Sequence, residues 1–308
     1  MEDPAFTAPG RFWRGNLHTH TTDSDGELPA EEACKRYRDA GYDFLAISDH
    51  FVGLYGYPVT DTASFQTADF TTLRAAELHA GAMENGDIWH ILAVGLPQDF
   101  APPIAPDFEA IDSQESGPAL ARRARETGAF IAVAHPEWGG LSLADAASID
   151  AAHAVEVYNH SCHVEADRGR GFWHLDRLSE LGLKRSVIAN DDAHFRGDDH
   201  FGGWVMVKSE LNEPRALLAA LKAGHHYAST GPAIHDVRWE TSRVSVRCSP
   251  AKTIIVQGAG WAVDHIDCRG ATEVIIPLVN TAISPWMRLT VVAENDKRAW
   301  TNPVWREA

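Results

Sequence analysis

The stretch RGNLHTHTTDSDGELPAEEACKRYRDAGYDFLAISDH, residues 14–50, decides the reading of this chain. Two short apolar runs, NLHTH (16–20) and FLAISDH (44–50), end in histidines and an aspartate. The segment between them opens with Pro29 and two glutamates and stops at Gly41, which are start and stop signals of a helix. Strand, helix, strand is a βαβ unit and predicts a parallel sheet. Residues two apart in a strand share a face, so His18 and His20 can reach one point.

The same texture recurs along the chain. Apolar runs at 73–79, 89–95, 130–136, 154–160 and 186–194 mostly end in polar residues, and the amphipathic segments 117–128 and 172–182 end at glycines. Repeated βα units over roughly 200 residues predict a (β/α) barrel, whose reactive face is built from the C-terminal strand ends. After the helical pattern that closes at Gly224 the texture changes to short alternating runs, such as RVSVRCS and TEVIIPL, separated by turn residues. These predict a small antiparallel β module. The expected division is 1–230 for the barrel and 231–308 for the module. Residues 51–70, rich in aromatics and turn formers, read as a loop insertion near the barrel mouth, with Tyr55, Tyr57 and Phe65 as an apolar wall or as simple loop packing.

Composition narrows the function classes. The chain has 308 residues, 44% of them hydrophobic, so a large core is available. A formal charge of −16 argues against duplex nucleic acid as a partner. It leaves room for a small anionic substrate, since bound divalent ions invert the local sign. The four cysteines form no CxxC pair and read as reduced thiols, which points to a cytoplasmic protein. The amino terminus lacks the apolar core of a signal peptide, and no run reaches the length of a membrane span.

Taken singly, the polar strand ends have ordinary explanations. HTH can be a surface pair, SDH a helix cap, AHP a pre-proline turn and NDDAH a capped helix start. Their repetition at five strand ends outweighs these readings, because chance would scatter them among the helices as well. Imidazoles and carboxylates together suit Zn, Mn or Fe. His79 shares the face of Glu77 and stays open between ligand and bystander. His153, His163, His174, His225, His226, His235 and His265 lie in helical, turn or β-module contexts and read as structural or surface residues.

The order HxH, Asp-Gly, SDH, Glu, His, AHP and DxH resembles the PHP (polymerase and histidinol phosphatase) family over roughly residues 14–210. The resemblance implies a distorted (β/α)7 barrel with two or three divalent metal ions (Zn, Mn or Fe) at its C-terminal face. Position by position it implies a ligand set of His18, His20, Asp25, His50, Glu77, His90, His135, Asp192 and His194. No member of the set is replaced, which argues against a degenerate, metal-free module. The carboxy-terminal GHHYASTGPAI and AWTNPVW resemble a subgroup of the family that includes the carbaryl hydrolases.

The expected function is a metal-dependent hydrolase, a phosphoesterase that cleaves a small phosphorylated metabolite or nucleotide through a metal-activated hydroxide. The alternative is a carboxylic ester or carbamate hydrolase using the same metals, motivated by the carboxy-terminal likeness and by few basic residues near the motifs. A non-catalytic accessory module is disfavoured by the intact motif set. Asp192 is a candidate to accept the nucleophile's proton, and His160 to protonate the leaving group or bind phosphate. Asp49 is expected to orient a ligand histidine. Glu156 and Asn159 are expected to line the pocket, and Arg196 to pair with an anionic substrate or with a surface acid.

Overall fold

A computed structural model describes residues 1–111 and 115–306 of the chain. A one-turn helix, α1 (Pro4–Thr7), precedes β1 (Arg11–Asn16), α2 (Ala30–Asp39), β2 (Phe44–Ile47), β3 (His50–Phe51), β4 (Thr71–Leu78) and β5 (Ile91–Val94). Helix α3 (Gly117–Glu126) leads to β6 (Phe130–Val133), α4 (Leu143–Ser148), β7 (Ala154–Asn159), α5 (His160–Ala166), α6 (Phe172–Glu180) and β8 (Ser186–Asn190). Next come β9 (Trp204–Ser209), α7 (Pro214–Lys222) and β10 (His226–Ser229). The rest is strand: β11 (Ile234–Trp239), β12 (Arg243–Gly258), β13 (Val263–Pro277), β14 (Trp286–Val292), β15 (Arg298–Trp300) and β16 (Val304–Trp305).

The expected helices form where their punctuation places them. Helix α2 carries Glu31 and Glu32 in its first turn and Arg36 and Arg38 in its last, which complements the helix dipole. Just past its end, Gly41 sits at φ +80°, where a side chain would be strained. Strands β2, β5 and β6 are four-residue apolar runs buried on both faces. Helices cover one side, with Leu120, Leu175 and Leu178 in that layer, and Leu17, Phe44, Leu92 and Phe130 form a separate cluster.

The result is a mixed α/β fold around one large sheet, hydrogen-bonded in the order β9-β1-β2-β4-β5-β6-β7-β8 through this part of the chain. The all-parallel expectation fails at β5, which pairs antiparallel with both β4 and β6. The connection from β4 to β5, residues 79–90, is a hairpin-like loop held by the Ala82–Ile88 bridge, with no crossover helix to bring the chain back to the same edge. A reversed β5 places its first residues beside the last residues of β4 and β6. That is why His90, at the start of its run, faces the same end as the others.

Past β8 the chain turns back onto β1. Thr19 and Ala193 form a parallel bridge, Asp192 N donates to His18 O, and His20 N donates to Ala193 O. Two asparagine side chains replace ladder bonds there: Asn190 Oδ1 accepts from Leu17 N and Asn16 Oδ1 accepts from Asp191 N, each at 3.0 Å.

The carboxy-terminal strands bury their own apolar cluster, including Val246, Ile254 and Leu289, and Ala5 and Phe6 of α1 join it. Two expected runs merge into β12, where register shifts around Ala251 absorb Pro250. The four cysteines are buried and unpaired. Among the described residues no helix is long and apolar enough to cross a membrane.

Candidate metal centre

All nine residues of the expected ligand set meet at one end of the sheet, with Glu77 at the middle. Its Oε1 lies 2.8 Å from His90 Nδ1, 2.9 Å from His135 Nε2 and 3.7 Å from His18 Nε2. Its Oε2 lies 2.7 Å from His50 Nδ1 and 3.6 Å from His20 Nε2. Asp192 Oδ1 approaches His20 Nε2 at 2.9 Å and His18 Nε2 at 3.2 Å. Asp25 Oδ1 stands 3.3 Å from His194 Nε2 and 3.4 Å from His50 Nε2.

Local backbone chemistry sets these positions. His50 pairs with Glu77 in parallel register between β3 and β4. Asp192 adopts φ +58° and His135 φ +21°, backbone conformations that cost energy in a non-glycine residue and cluster at functional sites. The glycine after Asp25 is needed because a Cβ on Gly26 would stand 2.6 Å from the His20 carbonyl. Asp49 was expected to orient a ligand histidine, but among the described residues it bonds to none. It accepts bonds from Thr21 N, Thr21 Oγ1 and Ser24 Oγ and so holds the turn that carries Asp25.

Glu156 and Asn159 do not line the pocket; they lie buried behind it. Glu156 Oε1 is 3.1 Å from His18 Nδ1 and accepts from Asn190 Nδ2, while Oε2 accepts from His135 N and Asn159 Nδ2. Asn159 Nδ2 also donates to Asp192 Oδ2 at 3.0 Å. These are the outer partners that fix ligand orientation in metal sites. A carboxylate in the apolar run 154–160 was the only sequence signal for them.

The donor set fits divalent cations. Among the described residues, His18 Nε2, His20 Nε2, Glu77 Oε2 and Asp192 Oδ1 are buried without a hydrogen-bond partner. They stand close to one another but are misaligned for hydrogen bonding, and each unpaired buried group costs roughly 1–3 kcal/mol. Burial would raise Glu77 and Asp192, yet the surrounding histidines hold both well below the usual carboxylate range. Burial and its neighbours His50 and His194 push His20 down to about 3. The carboxylates are thus held anionic and His20 neutral, while the acids around them raise His18, His135 and His194, so that a bound ion would displace protons from those three rings. Three groups drawn from the expected set, His20–Asp25–His50–His194, His18–Glu77–His135 and His18–His20–Asp192, have donor atoms within 4.8 Å of one another.

A cavity of about 640 Å³ opens over the centre. Met83, Ile88, Phe108 and Trp138 make its apolar side, and Ser161, Arg168 and Arg196 contribute polar groups. Phe108 lies 4.8 Å from the His50 ring and Trp138 5.0 Å from the His135 ring. Both aromatics were missed in the sequence, where nothing but Trp138's place three residues past His135 marks them. Of the aromatics expected there, Tyr57 bonds to Ala105 O and Phe65 packs in the cluster around Tyr37; Tyr55 alone comes near, 6.5 Å from His50.

His160 is not brought to the cavity. As the first residue of α5 it turns away, its Nδ1 2.9 Å from Tyr158 Oη and its ring against Gly202. Arg196 lines the cavity and pairs with Asp25 at 2.9 Å, an acid of the expected ligand set. Arg168, beyond α5, is the basic residue the sequence reading overlooked. His153 and His174 make structural bonds, to Ile131 N and Leu141 O, as expected.

Comparison with family models and with curated proteins finds no match. Among solved structures, the chain is similar to a two-domain protein containing a predicted PHP-like metal-dependent phosphoesterase from Bacteroides vulgatus, at TM-score 0.52 and 14% identity over 99% of each chain. The chain therefore has the PHP-type α/β fold. Two further similarities are to a proposed metal-dependent phosphoesterase from Bifidobacterium adolescentis (TM-score 0.42, 16% identity, 60% of this chain and 88% of that one) and to an amidohydrolase from Chromobacterium violaceum with bound sulfate and no metal (TM-score 0.43, 15% identity, 60% and 89%).

Proposed function

We propose that the chain is a metal-dependent hydrolase, a phosphoesterase acting on a small phosphorylated metabolite or nucleotide. The observation that carries this reading is the group of unpaired buried nitrogens and oxygens around Glu77 at the floor of a cavity lined by two arginines. In this reading His18, His20, Asp25, His50, Glu77, His90, His135, Asp192 and His194 hold two or three ions of Zn, Mn or Fe. When bound, such ions lower the pKa of water and polarise the scissile ester as Lewis acids.

The chain's own residues do the rest. Glu77 faces histidines with both oxygens and so ties the two halves of the centre together. In this reading Asp192, held ionised and braced by Asn159, takes a proton from an attacking water. Arg168 and Arg196 supply positive charge for an anionic substrate. Met83, Ile88, Phe108 and Trp138 keep water from one side of the cavity and receive an apolar part of the substrate.

That apolar wall also supports the second reading, a carboxylic ester or carbamate hydrolase. The carbaryl hydrolase likeness rests on carboxy-terminal motifs alone, and among the described residues none of β11–β16 lines the cavity. We further read β1, β2 and β4–β8 as a distorted (β/α)7 barrel, with residues 1–230 as one unit and 231–308 as the other.

Metal-reconstituted protein assayed on nitrophenyl phosphate, bis-nitrophenyl phosphate and a nitrophenyl carboxylic ester tests the choice. Turnover of a phosphate ester is expected. Strong esterase activity with no phosphatase activity would transfer the assignment to the second reading.

A further inference from the structure

We propose that His79 is a metal ligand, completing a site of His50, Glu77, His79 and His90 that extends the nine-residue motif set. The inference rests on the reading of the cluster as a metal centre. It starts from a hydrogen bond on the far side of the ring. His79 Nδ1 lies 3.0 Å from the backbone oxygen of Trp89. A carbonyl oxygen accepts only, so Nδ1 carries the proton and Nε2 keeps its lone pair. Nε2 points inward, 3.0 Å from His50 Nδ1 and 3.8 Å from Glu77 Oε2, and the ring is fully buried. One donor atom from each of His50, Glu77, His79 and His90 falls within 4.8 Å of the others.

The same construction occurs twice more in this centre. His18 places Nδ1 on Glu156 and turns Nε2 toward Glu77 and Asp192. His194 places Nδ1 on the Asp192 backbone oxygen and turns Nε2 toward Asp25. An outer nitrogen bonded to an oxygen acceptor and an inner one aimed at the centre is the usual arrangement of a metal-bound histidine. His18 and His194 belong to the motif set; His79 is built the same way and does not.

The local sequence explains how this arises. Strand alternation puts Glu77 and His79 on one face. The reversed β5 brings residues 89 and 90 beside them, so one dipeptide both grips His79 through the Trp89 carbonyl and supplies His90. Three imidazoles and a carboxylate form an N-rich site suited to Zn or Fe, and poorly suited to Mg or Ca. The competing role for the same geometry is a hydrogen bond from His50 Nδ1–H to His79 Nε2, which would only orient His50.

Metal binding separates the two. Wild-type protein and His79→Phe are stripped, reloaded with Zn²⁺ or Mn²⁺, and measured for bound equivalents, dissociation constants and the nitrogen shell by X-ray absorption. Metal-free melting checks that the variant folds; if it does not, His79→Asn, whose amide stands where Nδ1 does and can still donate to the Trp89 carbonyl, takes its place. The expected result is loss of one equivalent, or a ~10-fold or greater weakening of one site with fewer nitrogen neighbours per metal. An unchanged nitrogen shell, even beside weaker binding, would overturn the proposal and leave His79 as a residue that orients His50, because loss of such an outer partner by itself weakens a metal site about 10–100-fold. A wild-type chain that binds no ion would instead overturn the metal centre as a whole, and this site with it.

Discussion

Glu156 stands 3.1 Å from the outer nitrogen of His18, with both side chains fully buried. The carboxylate accepts four bonds, from His18, Asn190, His135 N and Asn159. Glu156→Gln would put an amide NH₂ against N–H donors on one side. Metal affinity is expected to fall ~10–100-fold, as for other outer partners of metal-site histidines. Competition with a chelator of known affinity measures it, and equal affinities would refute the role given to Glu156.

Metal removal has its own signature. A ligand that binds only the folded state stabilises it by about 3–4 kcal/mol at 100–1,000 times its dissociation constant. For a chain of this length that is a shift on the order of 5–10 °C. Chelation should lower the melting temperature by that amount and abolish hydrolysis, and adding back Zn²⁺ or Mn²⁺ should restore both. A melting curve indifferent to chelator and to added metal would remove the premise of the proposed function.

Arg168 lines the cavity, and among the described residues its guanidinium makes no ion pair. Arg168→Ala should therefore leave melting temperature and metal content unchanged. A charge-assisted contact to substrate is worth about 1.5–3 kcal/mol, so kcat/KM for a phosphate ester should drop roughly 10- to 100-fold. Turnover of a neutral carboxylic ester should change little. An equal loss on both substrates would deny Arg168 its role in holding the anion.

Asp3 supplies a pH dependence away from the centre. Burial raises its carboxyl from 3.8 to about 7, although Ala5 N donates to it. Between those values the folded chain keeps a proton that the unfolded chain has lost, so stability falls as pH rises through that window and levels off above it. At about 1.4 kcal/mol per pH unit the total is on the order of 4 kcal/mol. Asp3→Asn keeps an acceptor for Ala5 N without the charge. Its melting temperature should match wild type near pH 4 and exceed it near pH 8; parallel profiles would exclude Asp3 as the cause.

Much of this was legible in the sequence because it is local. The helices over Ala30–Asp39, Gly117–Glu126 and Phe172–Glu180 each run into a glycine stop, at Gly41, Gly128 and Gly182, and the second also carries its own cap, Ser116. His18 and His20 share a face through strand alternation alone. His90 was readable as a site residue only by its place in the motif order, since the direction of β5 is set by a turn and by partners on both sides. The roles of Asp49 and Glu156 came out differently from expectation for a similar reason. A buried carboxylate serves whichever donors surround it, and those come from Thr21 and Ser24 in one case and from His18 and Asn190 in the other.

By itself the sequence determined the chemistry available: imidazoles and carboxylates at successive strand ends, in an order that resembles one family, within a chain apolar enough to bury them. The tertiary structure alone decided which nitrogen of each ring faces the centre, that His79 joins it and His160 does not, and that Phe108, Trp138 and Arg168 shape the cavity. The physical reason is one of range. Periodicity and capping act within a few residues, whereas ring orientation and cavity lining depend on hydrogen bonds and packing between segments that only the folded sheet brings together.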